Sequence, residues 1–184
     1  NHDGQINALD VVYLGNCLPK LSGGFNISFD YGRWNLKARF MYRYGNKVIN
    51  QARMTLESMS TAYNQASSVN WRWRKDGDET LMPRAIYVYN DNSAYNYQGS
   101  SRYVEDGSFL RFQNLQVGYN FDPKELKKYG LNRLQFYVTA NNLFCWTRYS
   151  GVDPEISIGG WGQAIDKSQT PRAKSFTANI NIGF

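Results

Sequence analysis

The chain has 184 residues, with 14 Tyr, 10 Phe and 5 Trp, yet its mean hydropathy is hydrophilic and its formal charge is +6. The aromatic load excludes a disordered chain, and no stretch approaches the ~20 consecutive apolar residues of a membrane helix. Two cysteines, Cys17 and Cys145, are too few for a disulfide-stapled miniprotein.

In chain order, Asn1-His2-Asp3-Gly4-Gln5-Ile6-Asn7-Ala8-Leu9-Asp10 comes first. It reads like the later part of a calcium loop. Asn1, Asp3, Gln5 (by its backbone carbonyl), Asn7 and Asp10 would take positions 3, 5, 7, 9 and 12, with Gly4 at the sharp turn. Position 1 would precede Asn1. The plain alternative is a polar, Asx-rich turn without metal. His2, the chain's one histidine, reads as a solvated loop side chain.

Five segments then alternate at period two. Phe25 to Tyr31 places Phe25, Ile27, Phe29 and Tyr31 on one face. Trp34 to Tyr44 places Trp34, Leu36, Ala38, Phe40, Tyr42 and Tyr44 on one face, with Lys37, Arg39 and Arg43 opposite. The third runs from Phe109 to Phe121. It breaks parity near Asn114, which predicts either a bulge or an extension above the regular part. The fourth runs from Leu134 to Phe144, with Asn142 spoiling its apolar face. The last holds Phe176, Ala178, Ile180, Ile182 and Phe184 against Ser175, Thr177, Asn179, Asn181 and Gly183.

The connections alternate in length. Gly32-Arg33 and the Pro123- and Gly130-broken stretch 122–131 are short; 48–104 and 148–171 are long. Short periplasmic turns and long extracellular loops are the outer-membrane barrel pattern. The predicted fold is therefore all-β, a transmembrane antiparallel β-barrel. Its predicted divisions are an extracellular loop (1–20), two strands (21–47), a long extracellular loop (48–104), two strands with a periplasmic turn (105–147), an extracellular loop (148–171) and a closing strand (172–184). Bacterial barrels need an even number of at least eight strands, and an open sheet in lipid would leave unpaired edge groups. Five strands therefore imply the last part of a larger barrel.

The long loop places Ala52, Leu56, Met59 and Tyr63 at helical spacing, read as packing. Trp71, Trp73, Tyr87, Tyr89, Tyr95 and Tyr97 follow, as flat surfaces for substrate sugars or, preferably, for a protein lid. Lys37, Arg39 and Arg43 would face the lumen, either lining a path for anionic cargo or, preferably, pairing with carboxylates. Phe176, Ile180, Ile182 and Phe184 read as an assembly signal on the closing strand. One histidine allows no nucleophile–base pair with a second imidazole and no two-His metal site. Asp76/Asp78 and Asp153/Glu155 lie in turn-like loops and read poorly as a glycosidase dyad. No catalytic residue is assigned. The basic residues are scattered, so no nucleic-acid footprint is read.

Arg102-Tyr103-Val104-Glu105-Asp106-Gly107-Ser108-Phe109-Leu110-Arg111-Phe112-Gln113-Asn114-Leu115-Gln116-Val117-Gly118-Tyr119 closely resembles a signature of the SusC/RagA family of TonB-dependent outer-membrane transporters. Asn141-Asn142-Leu143-Phe144, with Thr147-Arg148-Tyr149-Ser150-Gly151-Val152-Asp153-Pro154-Glu155, is similar to a second. Pro19-Lys20 with Gly23-Gly24-Phe25 resembles a third, whose usual Pro-rich start is replaced by Cys17-Leu18-Pro19. The resemblance implies a barrel of about 22 strands around a plug, a SusD-like surface lipoprotein as lid, and the TonB complex as energy source. The expected cargo is oligosaccharide or peptide. The expected surroundings are outer-membrane lipid and the rest of the barrel, and many family members carry a calcium loop at the corresponding place. The competing reading is a secreted β-sandwich carbohydrate-binding module.

Overall fold

The computed structural model describes residues 8–60, 62–86, 99–158 and 164–184. Within them the chain forms two compact units, each built from three separate stretches. No helix of the described residues is long and apolar enough to cross a membrane, which says nothing about crossing by strands.

The first unit comprises residues 19–45, 107–148 and 170–184. Its strands are β1 (Leu21–Tyr31), β2 (Trp34–Tyr44), β5 (Phe109–Asn120), β6 (Arg133–Thr147) and β8 (Ser175–Gly183). They form one antiparallel sheet in the order β1-β2-β5-β6-β8. Period-two alternation gives every strand one apolar and one polar face. β1 starts four residues before the predicted Phe25, and β6 runs three past Phe144. Gly32, at φ 60°, turns β1 into β2 through a two-residue loop that favours positive φ. At the same end of the sheet, Asp122 caps α2 (Pro123–Leu126) by accepting from the Lys124 N–H at 2.8 Å, and also takes Arg33 Nη2 at 2.5 Å. That salt bridge ties the two short turns together.

The parity break in β5 is a bulge. Phe40 pairs with Phe112 and Arg39 with Asn114, so Gln113 is an extra residue relative to β2. The extra residue keeps Leu110 and Phe112 on the same apolar face as Leu115 and Val117. The irregularity continues into β6, where Phe112 pairs with Phe144 and Asn114 with Asn141. One step on β2 thus spans two on β5 and three on β6. Asn142, which spoiled the predicted face, sits in this crease at φ 53°. Asparagine tolerates that left-handed conformation better than other non-glycine residues do. Its Nδ2 donates to the Ala173 carbonyl at 3.0 Å.

The second unit comprises residues 1–18, 46–106 and 149–169. It contains a sheet that alternation did not reveal. β3 (Lys47–Asn50) pairs antiparallel with β4 (Val104–Asp106) and parallel with β7 (Ile165–Asp166). Val48, Tyr149, Ile156 and Ala164 form its buried cluster, with Cys17 packed against them. A second cluster joins Met59, Val69 and Met82.

The apolar series Ala52, Leu56, Met59 and Tyr63 does not lie along one helix. Only α1 (Gln51–Leu56) is helical, capped by the Asn50 side chain, which accepts from the Arg53 N–H. Leu56 and Tyr63 are exposed, and Met59, at φ 52°, turns inward after the helix has ended. The series therefore shares no single helical face.

Candidate functional site

The polar face of the larger sheet is organised in rows. Register aligns Asn26, Arg39, Asn114, Asn141 and Ser175 across all five strands. Arg39 Nε donates to Asn26 Oδ1 at 3.1 Å, Asn114 Nδ2 to Asn141 Oδ1 at 2.7 Å, and Asn141 Nδ2 to Ser175 Oγ at 3.0 Å. Nearer the short turns, Gln135 Nε2 donates to Asn120 Oδ1 at 2.8 Å and Asn181 Nδ2 to the Tyr137 hydroxyl at 3.0 Å. Gly118 leaves room for the Asn35 side chain, whose amide would collide with any Cβ there. Such cross-strand pairs are the sheet's own stabilising units.

Lys37, Arg39 and Arg43 stand together on this face of β2. Arg39 meets an amide rather than a carboxylate. Arg43 lies 5.9 Å from the Phe109 ring centroid, and Arg111, a buried arginine that the charge reading passed over, lies 5.6 Å from it. The bulge at Gln113 sets the face of Arg111, and the sequence signalled it only as a parity break near Asn114.

The opposite face is apolar and banded. Toward the short turns lie Tyr31, Trp34, Tyr119 and Phe136, aligned by register. Trp34 meets Tyr119 edge-on at 4.9 Å. The middle is aliphatic, with Ile27, Leu36, Val117 and Ala178. At the other end Phe25, Phe40 and Phe112 stack at 4.8 and 4.6 Å between centroids. Trp34 to Tyr44 is eleven residues; its ten steps at about 3.3 Å each and a tilt of ~40° give ~25 Å of height, the thickness of a barrel's apolar band. Its large side chains are exposed: Phe29 62%, Trp34 56%, Phe176 71%.

In the second unit, charged groups from distant stretches converge. Glu57 is buried and takes Arg53 Nε at 3.2 Å and Arg102 Nη2 at 3.1 Å. Glu105 takes Arg53 Nη1 at 3.2 Å, the Ser150 N–H at 2.9 Å and the Ser150 hydroxyl at 2.8 Å. Burial alone would raise the Glu105 pKa, but these bonds and one from Asn50 hold it below the ordinary carboxylate value. The Tyr149 hydroxyl donates to Asp166 Oδ2 at 2.6 Å; burial and that carboxylate push its pKa well up. Both recognised motifs thus supply staples, Glu105 from one and Tyr149-Ser150 from the other.

The remaining site residues fall as follows. Asn1, Asp3, Gln5 and Asn7 lie outside the described residues, and Asp10 ends a short 3-10 turn. Trp71 is 79% exposed, while Trp73 is half-buried and its backbone N–H donates to the Met82 carbonyl at 2.9 Å. Tyr87, Tyr89, Tyr95 and Tyr97 lie outside the described residues. Phe176, Ile180, Ile182 and Phe184 line the apolar side of β8 and its end, all exposed. Asp78 and Asp153 cap turns, accepting from the N–H groups of Arg74 and Glu155.

No family model matches the chain. A TonB-dependent receptor of Formosa agariphila is 31% identical over all of this chain and 18% of its own length. SusC of Bacteroides thetaiotaomicron, also a TonB-dependent receptor, is 31% identical over 46% of this chain and 8% of its own. The RagAB peptide importer, in its closed-closed state, superposes on 98% of this chain and 19% of its own with a TM-score of 0.81 and 27% identity. The chain therefore spans about a fifth of the length of the relatives it matches.

Proposed function

We propose that this chain, a stretch of a SusC/RagA-type TonB-dependent receptor of the bacterial outer membrane, supplies barrel wall and extracellular loops to an active nutrient transporter. The observation that carries the reading is the two-faced sheet. One face is an exposed apolar band with aromatic ends, and the other carries hydrogen-bonded polar rows. In a barrel of about 22 strands, the first faces lipid and the second faces the lumen and its plug. Lys37, Arg39 and Arg43 then face the lumen. The cargo class is oligosaccharide or peptide, the latter favoured by the likeness to a peptide importer. A SusD-like lipoprotein closes the outer side, and TonB supplies energy. The chain has no catalytic role.

The sandwich module would need a second sheet able to cover the apolar face. β3, β4 and β7 contribute only four, three and two residues, against strands of nine to fifteen. Uptake of labelled peptides and oligosaccharides by cells carrying the intact receptor, with and without a proton ionophore, tests the reading. Ionophore-sensitive uptake supports it. A receptor that is soluble and monomeric without detergent overturns it.

The loop of Asn1, Asp3, Gln5, Asn7 and Asp10 offers oxygen donors suited to a hard cation, and Ca²⁺ is proposed there. Calorimetric titration of the intact receptor should show Ca²⁺ binding that Asp3→Asn removes. Absence of heat in the parent protein rejects it.

A further inference from the structure

We infer that the polar face carries, on β1 and β2 beside the bulge, a carboxylate-binding site whose ligand is the C-terminal carboxylate of a peptide cargo. The site rests on the barrel-wall and peptide-cargo reading above.

A depression of about 440 Å³ opens on this face, with Ser22, Gly24, Asn26, Arg39, Arg43 and Gln113 in its lining. Small-molecule sites have volumes of ~300–1,000 Å³. Register sets Ser22 opposite Arg43 and Asn26 opposite Arg39, with Gly24 between them on β1. Gly24 keeps the floor bare, since a Cβ there would stand 2.8 Å from the Phe40 carbonyl oxygen. Gln113 is the inserted residue of β5, and bulges re-aim side chains beside binding and active sites.

The pocket is positive and holds no acid. Arg39 Nε donates to Asn26 Oδ1 at 3.1 Å, so a neutral partner orients the guanidinium without neutralising it. No ion pair among the described residues includes Arg39. Asp30 is the one acidic residue of the five strands, and it lies four residues along β1 from Asn26, ~13 Å away. The complement of such a pocket is an anion. A guanidinium fork matches the planar geometry of a carboxylate, and the Ser22 hydroxyl and Gln113 amide add donors. Arg39 stands five residues along β2 from Trp34 and Arg43 nine. The pocket therefore runs from mid-wall toward the long excursions, the side from which cargo enters.

The test measures binding to the intact receptor in detergent by fluorescence anisotropy. The probe is a short, N-terminally labelled peptide without acidic side chains, offered with a free C-terminus or as its C-terminal amide. The parent receptor should bind the free acid about tenfold more tightly than the amide. Arg39→Gln should erase that preference, and Gln113→Ala, which keeps the inserted residue, should reduce it about threefold. Equal binding of acid and amide by the parent overturns the proposal; it is the result expected if a carboxylate of the receptor's own plug fills the pocket. A preference unchanged in Arg39→Gln overturns it too. Heat-modifiable mobility on gels checks that each variant is folded. A receptor that binds both forms alike defeats this inference alone, whereas one that binds neither defeats the peptide-cargo reading as well.

Discussion

Glu105 shows how a single residue can close a loop. Its carboxylate gathers Arg53, Asn50 and Ser150, the last 45 residues away in sequence. The folded pKa is lowered, so the stabilisation is present above the unfolded carboxylate value of about 4.3 and is lost as pH falls through the lower folded value. Limited proteolysis of the intact receptor across falling pH should show the loops opening in that acid range. Glu105→Gln should open them already at neutral pH, at a cost of ~1.5–3 kcal/mol for hydrogen bonds to a charged group. A variant as protease-resistant as the parent at every pH would show that the staple is idle. The motif containing Glu105 was legible in the sequence. Its partnership with Ser150 was not, because nothing local encodes a contact between segments so far apart. Arg111 was missed for a related reason: its face depends on one inserted residue upstream of Asn114.

At the scale of elements, period two located all five long strands, since each has one apolar and one polar face. It failed where strands are too short to display a period, as in β3, β4 and β7. The apparent helical series failed differently. Met59 is buried by a left-handed turn after α1, not by helical phase. The bulge was legible as a parity break, but pairing with β2 and β6 was needed to distinguish it from an extension. Deleting Gln113 should rotate the first part of β5 by one residue and bring Arg111 onto the apolar face. An arginine on a lipid face costs ~2–4 kcal/mol at mid-membrane and less toward the interface. The fraction of heat-modifiable, folded receptor should fall. Unchanged assembly would mean that the bulge does not set the register.

For the whole molecule, both edges of the larger sheet, β1 and β8, are paired on one side only among the described residues. Edge amides in lipid are costly, so the proposed barrel wall implies further strands pairing with both edges; the chain spans about a fifth of the relatives it matches. Phe184→Ser should slow delivery to the outer membrane, scored by fractionation. Normal delivery would count against the assembly-signal reading of Phe184. If the proposed SusD-like lid exists, deleting residues 70–97 should weaken its co-purification with the intact receptor, and full co-purification would count against these residues as its contact. The polar and apolar faces could be read from alternation. The cargo could not, because polar rows of amides and hydroxyls complement many neutral solutes equally.

The crease through Gln113 and Asn142 also has a mechanical consequence. Two extra residues of β6 against β2 amount to ~7 Å of contour, which must bow out of the sheet along one line. The extra residues there leave the ladder locally disrupted. Amide hydrogen exchange in the intact receptor should show a step in protection at this line, with slow amides on the short-turn side and faster ones beyond it.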